Sequence, residues 1–339
     1  MRIVVYDIAA QKGGGGETIL KQYFDAALNA PQIEWWFFVS IKDYKEYESA
    51  NIHVELVDIR KASKIRSYYL RKKYELFQLK SILNRINPDE IISLQNMVVP
   101  GAKCKQTVYL HQSFQFSPVK FRFTKKAERS LAFRQRIICR LIRAKLNKAD
   151  KVIVQTNWMK KSVSEWAHYP EERIVVEPPK VSLPLKKDLM EAQRNSFIYP
   201  ANAYLNKNHQ IIIDACKILK KQGVTGYRIQ FTLSEDSSGL ARQLLKEIKI
   251  EGLPIECIGH LEKPELYEKY QTMITLFPSY IETFGLPLLE AKELNGIVLA
   301  SDRPFSHEIL DGYDKAIFIE WNNPDAWARE IKAQCSYNN

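Results

Sequence analysis

The chain has 339 residues and a mass of 39.4 kDa, enough for two domains rather than one, which excludes peptide hormones and isolated binding modules. With 45% hydrophobic and 26% charged residues, and only 13 Gly and 15 Pro, it is globular, not collagen-like, low-complexity or disordered. Its formal charge of +11 calls for a polyanionic partner such as nucleic acid, phosphate or an acidic membrane surface.

The excess is local. Residues 60–80 hold eight basic side chains (Arg60, Lys61, Lys64, Arg66, Arg71, Lys72, Lys73 and Lys80) against the single acid Glu75, and residues 120–148 hold eleven against Glu128. These windows carry +7 and +10, so the rest of the chain sums to −6. The five cysteines are odd in number and form no C-x-x-C pair, which fits neither a disulfide framework nor a zinc site and favours a reducing cytoplasm. The opening MRIVVYDIAA reads as a buried strand and not as a signal peptide, and no window reaches the length of a membrane span.

In chain order, short apolar runs at 2–7, 33–40, 52–58, 89–94, 106–111 and 150–155 predict strands, with amphipathic segments between most of them. That alternation predicts a parallel sheet covered on both faces. Residues 177–196 interrupt it with three prolines in a polar stretch that reads as a linker. A second series follows: strands at 197–200, 227–233, 254–259, 273–278, 296–301 and 316–320, with helices at about 208–221, 239–249 and from 287. The expectation is an α/β protein of two similar halves: residues 1–178, then 179–322, with 323–339 as a C-terminal helix or tail able to pack back on the first half. Ligands in such folds bind at the carboxyl ends of strands, so the cleft between the halves is the default site.

Gly13, Gly14, Gly15 and Gly16 follow the first strand and precede a helix predicted from Glu17. Such a cluster lets backbone approach a ligand and leaves helix N-terminal N–H groups for an anion, although the spacing is not the dinucleotide G-x-G-x-x-G. By itself it is equally a surface turn. In the stretch 278–312, Glu282 lies on a loop, Pro287 suits the first turn of a helix, and Glu290 falls just inside that helix. Carboxylates grip sugar hydroxyls well, and the helix N-terminus suits a phosphate. For an isolated pair, a solvated loop acid and a dipole-complementing glutamate would be the simpler reading.

The pair is not isolated. Pro278, Ser279, Glu282, Phe284, Gly285, Leu286, Pro287, Glu290 and Ala291, then Gly296, the VLASD run ending at Asp302, and Glu308 together resemble the signature of glycosyltransferase family 4, retaining nucleotide-sugar transferases of the two-domain GT-B fold. The resemblance continues through Gly13 to Glu17, DKVIVQTNWMKK (150–161), RIVVEPPKV (173–181) and YPANAYLNKNH (199–209), nearly the whole chain. It implies two Rossmann-like domains facing each other across a deep cleft, the first for the acceptor and the second for the nucleotide sugar. It implies catalytic roles for Glu282, His111 and Lys207. Glu282 would hold donor-sugar hydroxyls near the reacting carbon, His111 would line that sugar, and Lys207 would hold the diphosphate. Gly15, Gly16, Asn202, Phe284, Gly285, Leu286 and Glu290 would complete the donor site, with Glu290 on the ribose. Where many members carry an arginine, this chain has Asn202, and a lost cation on the diphosphate costs rate unless another basic residue or a helix N-terminus replaces it. The chain has no D-x-D, so no metal or other cofactor is expected.

From Ala127, the residues Leu131, Ile138, Leu141, Ile142 and Leu146 predict one apolar helical stripe, with Arg129, Arg136, Arg140 and Arg143 largely elsewhere and Lys145 near the end. A basic helix with bulky apolar residues suits an anionic bilayer, and also an ordinary half-buried helix with a charged outer face. The expected partners are a nucleotide-sugar donor, a glycan or lipid-linked acceptor and an anionic membrane surface, with the enzyme cytoplasmic and peripheral on the inner face. Capsule, exopolysaccharide or O-antigen synthesis would supply such an acceptor. A nucleic-acid binder would also explain +11, but no zinc-finger spacing, aromatic RNA-binding motif or helix-turn-helix is present. The same carboxylates would equally serve a non-catalytic sugar- or nucleotide-binding protein of this fold, which turnover alone distinguishes.

Overall fold

A computed structural model describes residues 1–10, 12, 15–57, 70–71, 73–181 and 193–336. Gly13, Gly14, Arg60, Lys61, Lys64, Arg66, Lys72 and most of the predicted linker lie outside the described residues. By contacts the chain divides into two units, one of residues 1–115 and 134–180, the other of residues 116–133 and 181–339.

The first unit is built on a seven-stranded, wholly parallel sheet: β1 (Arg2–Asp7), β2 (Glu34–Val39), β3 (Ile52–Leu56), β4 (Glu90–Ser93), β5 (Lys105–Tyr109), β6 (Lys151–Val154) and β7 (Ile174–Val176), in the order 3-2-1-4-5-6-7. The apolar run of β1 is buried from Ile3 onward because both faces of a central parallel strand are covered. On one face α1 (Gly15–Leu28) seats Ile19, Leu20 and Phe24 against Phe37 and Trp35. On the other, a π-helical turn (Tyr74–Leu79) running into α2 (Lys80–Ile86) seats Leu79, Leu83 and Ile86 against Val4, Tyr6 and Ile91. α2 stops at Asn87, whose left-handed φ of 49° closes its last turn. Between β5 and β6 come α3 (Arg129–Phe133), a π-helical turn (Arg134–Ile138) and α4 (Cys139–Leu146), and α5 (Asn157–Ala167) joins β6 to β7.

The second unit repeats the plan in a six-stranded parallel sheet: β8 (Gln193–Tyr199), β9 (Arg228–Phe231), β10 (Ile255–Cys257), β11 (Met273–Phe277), β12 (Val298–Ser301) and β13 (Ala316–Ile319), in the order 10-9-8-11-12-13. Its helices are α6 (His209–Lys221), α7 (Gly239–Glu251), α8 (Lys263–Thr272), α9 (Leu286–Glu293), α10 (Pro304–Ile309) and α11 (Pro324–Ser336). In both sheets the strand order reverses beside the first strand of the unit, between β1 and β4 and between β8 and β11. This is the arrangement that opens a crevice at the carboxyl ends of strands in doubly wound folds.

At three places the structure adds to the reading of the sequence. Ile174–Val176, absent from the predicted strands, form the edge strand β7, paired to β6. The C-terminal helix α11 buries Trp327, Ala328 and Ile331, and it packs on α6 and β8 of its own unit. The single apolar stripe over 131–146 is split, because the π-helical turn at 134–138 holds more residues per turn than an α-helix and shifts the faces. Cys139, Ile142 and Leu146 point inward, and Leu141 is exposed.

Candidate functional site

The crevice between β8 and β11 gathers most of the predicted donor-site residues. The loop after β8 carries Asn202 and Lys207 and ends at Asn208, the left-handed cap of α6. The loop after β11 carries Ser279, Glu282, Phe284 and Gly285 and leads into α9. The two loops are tied by Tyr280 N–H donating to Asn206 O (3.1 Å), Asn206 Nδ2 to Ile281 O (3.3 Å) and Asn208 Nδ2 to Pro278 O (3.2 Å). Tyr199 OH, at the end of β8, donates to Lys207 O (2.5 Å), and Ser301 Oγ, at the end of β12, holds Ser279 O.

Within that frame Lys207 Nζ lies 2.6 Å from Glu282 Oε1, and Ser279 Oγ donates to the same oxygen at 2.7 Å. Both bonds fall on one carboxylate oxygen. The side chains are 20% and 16% exposed, so the pair is largely removed from water yet reachable. Lys207 Nζ also stands 5.8 Å from the centre of the Phe277 ring, a cation–π contact. Gly285 caps α9 at φ 102°, a conformation side chains avoid, and a Cβ there would come within 3.2 Å of Leu288. Phe284 is buried and Leu286 is the first residue of the helix. Asn202 is exposed, and its carbonyl accepts from Tyr204 N–H (2.8 Å).

Glu290 has different neighbours from Glu282. It is buried one turn into α9, with Oε1 accepting from Tyr267 OH (3.5 Å) and Oε2 from Tyr270 OH (3.3 Å), both on α8. Burial raises its carboxyl above the usual range, against the lowering effects of Lys263 and the two hydroxyls. These tyrosines were missed in the sequence, since they lie on another helix, 20 and 23 residues away.

His111 and the glycines belong to the first unit. His111 follows β5, and its backbone N–H donates to Asn96 Oδ1 (2.8 Å), which commits the Asn96 amide nitrogen to His111 Nε2 (3.3 Å). Nε2 therefore accepts, and the proton of the neutral ring sits on Nδ1, a buried atom with no hydrogen-bond partner. Burial lowers the ring's pKa to about 4, so it is neutral at pH 7. Beside it Asp7 Oδ1 accepts from Ala9 N–H, Ala10 N–H and Gln95 Nε2 (2.6 Å), fixing the start of the glycine loop. Gly15 and Gly16 open α1, two residues before Glu17, and a Cβ at either would meet nothing within 4 Å.

The basic residues assigned to a membrane surface do not form one set. Arg136, Arg140, Arg143 and Lys145 belong to the first unit, whereas Arg129, with residues 116–133, belongs to the second. In the second unit burial, and then the carboxylate of Glu128, push the Tyr280 hydroxyl up, so this segment reaches the loop that carries Glu282. That placement had no signal in the sequence. Among the described residues no helix is long and apolar enough to cross a membrane.

Comparison with known proteins bears on the family and the fold. Residues 185–336, a little under half the chain, match the family described as glycosyl transferases group 1. A curated relative, the capsular polysaccharide biosynthesis glycosyltransferase CapH of Staphylococcus aureus, is 32% identical over 144 residues, 41% of this chain and 39% of that protein. The matched stretch thus spans well under half the relative's length. Among solved structures, sucrose-phosphate synthase from Thermosynechococcus elongatus superposes with a TM-score of 0.73 at 15% identity, over 99% of this chain and 90% of that one. Anabaena Alr3699/HepE, solved with UDP and glucose, superposes with a TM-score of 0.71 at 15% identity, over 98% and 89%. The fold is that of GT-B glycosyltransferases, with two Rossmann-like α/β domains on parallel sheets.

Proposed function

We propose that this chain is a retaining glycosyltransferase of family 4 that moves a hexose or related sugar from a nucleoside diphosphate sugar to a hydroxyl of a glycan acceptor, without a metal. The observation that carries this reading is the Lys207–Glu282 pair, fixed by Ser279 at the β8–β11 crevice beside the N-terminus of α9. A diphosphate entering there takes the Lys207 ammonium and the N–H groups around Phe284, Gly285 and Leu286, which stabilise the charge that grows on the leaving group. Glu282, released from its lysine, accepts from sugar hydroxyls, and Glu290 holds the ribose. Within the first unit, the Nδ1–H of His111 is a donor without a protein partner, suited to a ligand hydroxyl, and Gly15 and Gly16 leave open space above them. The bond from the anomeric carbon to the diphosphate breaks while the acceptor oxygen attacks the same face. The acceptor's proton passes to the departing phosphate oxygen, so charge and atoms balance without a protein nucleophile.

One curated relative supports the proposed acceptor class. CapH is by its name a capsule enzyme, and a lipid-linked glycan in capsule, exopolysaccharide or O-antigen synthesis would place this enzyme on the inner face of the cell membrane, where Arg136, Arg140, Arg143 and Lys145 of the first unit meet acidic lipid. The test has two steps. Thermal-shift screening of UDP-, GDP- and dTDP-sugars should find one donor class that raises the unfolding midpoint, and that donor should support transfer. Glu282→Ala should then lower transfer by about 10²-fold or more with the fold intact. Unimpaired transfer in this variant would overturn the assignment, and donor binding without turnover would make the chain a binding protein.

A further inference from the structure

The β4–β5 crossover carries no helix; residues 94–104 run irregularly between the two strands. On that face of the sheet the segment lies beside α2, with Val99, Ala102 and Cys104 packed into the same cluster as Leu79 and Leu83, and the side chain of Lys80 lies over Gly101, 3.5 Å from where a Cβ would stand. Its other side opens into a pocket of about 490 Å³, lined by residues 98–104 and 106 together with Lys145 and Lys148 from the end of α4. Lys103, Lys145 and Lys148 line it, Lys80 borders it, and none of the lining residues is acidic. Three carboxylates act on Cys104 from behind the lining: Asp150 accepts from Gln106 N–H, Glu90 from Thr107 Oγ1 with Lys105 nearby, and Asp89 from Arg2 N–H, so the lysines supply the positive charge at the pocket wall itself.

The two helices flanking the pocket share a second feature. Leu76 and Phe77, 53% and 70% exposed, lie about one turn ahead of Lys80, and Leu141, 39% exposed, lies one turn ahead of Lys145, with Ile137 (39%) a further turn ahead. Large apolar side chains left in water above a lysine-lined pocket match the layering of a bilayer, acyl chains next to phosphates. A free phosphate or a nucleic acid would use the lysines but not the apolar residues.

We propose that this face of the first unit docks on an anionic bilayer, with the phosphate of an acidic phospholipid in the pocket lined by Lys103, Lys145 and Lys148, and with Leu76, Phe77, Ile137 and Leu141 entering the acyl boundary. The proposal rests on the membrane-peripheral part of the function proposed above and is independent of donor and acceptor. The full chain should cosediment with phosphatidylcholine vesicles only when they contain phosphatidylglycerol. Lys103→Gln/Lys148→Gln should weaken that partitioning by about 30-fold, at about fivefold per lysine, and Phe77→Ser by about tenfold. Lys103→Arg/Lys148→Arg, which keeps the charge, should bind as the wild type does, and millimolar inorganic phosphate should not displace the protein. Equal vesicle binding by wild type and the glutamine pair would overturn the pocket and leave an arginine-based membrane contact standing. A wild-type chain that ignores the acidic vesicles would overturn both. Displacement by free phosphate, failure of the arginine pair, or equally tight binding to duplex DNA would also overturn the lipid site.

Discussion

Glu290 shows how a single residue is set against stability. Its carboxyl is buried among Tyr267, Tyr270 and the start of α9, and burial raises its pKa more than its partners lower it, so the charged form is disfavoured in the folded state. A group whose folded pKa lies above its unfolded value costs stability at pH values above that range, and the cost vanishes below it, where the group is protonated in both states. Glu290→Gln keeps the volume and an accepting oxygen for a tyrosine. It should therefore raise the thermal midpoint at pH 8 relative to wild type, the advantage shrinking as pH falls through the raised folded-state pKa toward the ordinary carboxylate range, while nucleoside diphosphate affinity drops. Calorimetry across pH with a nucleotide titration checks both; a lower midpoint at pH 8 would mean the tyrosines stabilise the carboxylate outright. The position of Glu290 was legible in the signature. Its tyrosine partners were not, because side-chain contact between α8 and α9 has no local pattern.

Among the elements, α9 depends on glycines at both ends. Gly285 caps it at φ 102°, where Gly285→Ala meets both the penalty of left-handed backbone, about 1–2 kcal/mol, and a 3.2 Å approach to Leu288. Gly296, just beyond its end, faces Tyr270 O at 2.2 Å from a Cβ, and backbone cannot yield as a side-chain tip does. Gly296→Ala should thus be the more damaging, at about 3 kcal/mol or more, and should also loosen Tyr270 from Glu290. Denaturant melts of the two variants should show this order, and a harmless Gly296→Ala would mean that α8 and α9 shift freely. Both glycines stood in the recognised stretch, which made this element readable before its geometry was known. The helix at 129–146 was less readable. Its apolar residues fit more than one period, and the π-helical turn at 134–138, which decides that Leu141 faces water and Cys139 does not, leaves no mark in composition.

At the scale of the whole molecule, each unit was legible as an α/β sheet because central parallel strands must be apolar on both faces, whereas the grouping of 116–133 with the second unit depends on tertiary contacts alone. Each unit also holds a neutral histidine near the carboxyl ends of its strands, His111 half-buried and His209 buried. His111 has a pKa lowered to about 4 by burial, and His209 one lowered to about 3, again chiefly by burial, against Tyr199 and Phe231. In the unfolded chain both titrate near 6.5. Between those values the unfolded state holds more protons, so the stability is fully present above about pH 6.5 and is lost as pH falls toward 4. Each histidine should contribute a slope of about 1.4 kcal/mol per pH unit over that window. Carboxylate titration adds a background common to all variants, so slopes carry the comparison rather than midpoints. His111→Gln and His209→Gln should each be shallower than wild type between pH 6.5 and 4, and the double variant shallowest, whatever their absolute stabilities. Four equal slopes in pH-dependent unfolding would show that the two imidazoles take up protons in the folded chain as they do in water, and would remove burial as the reason His111 is neutral.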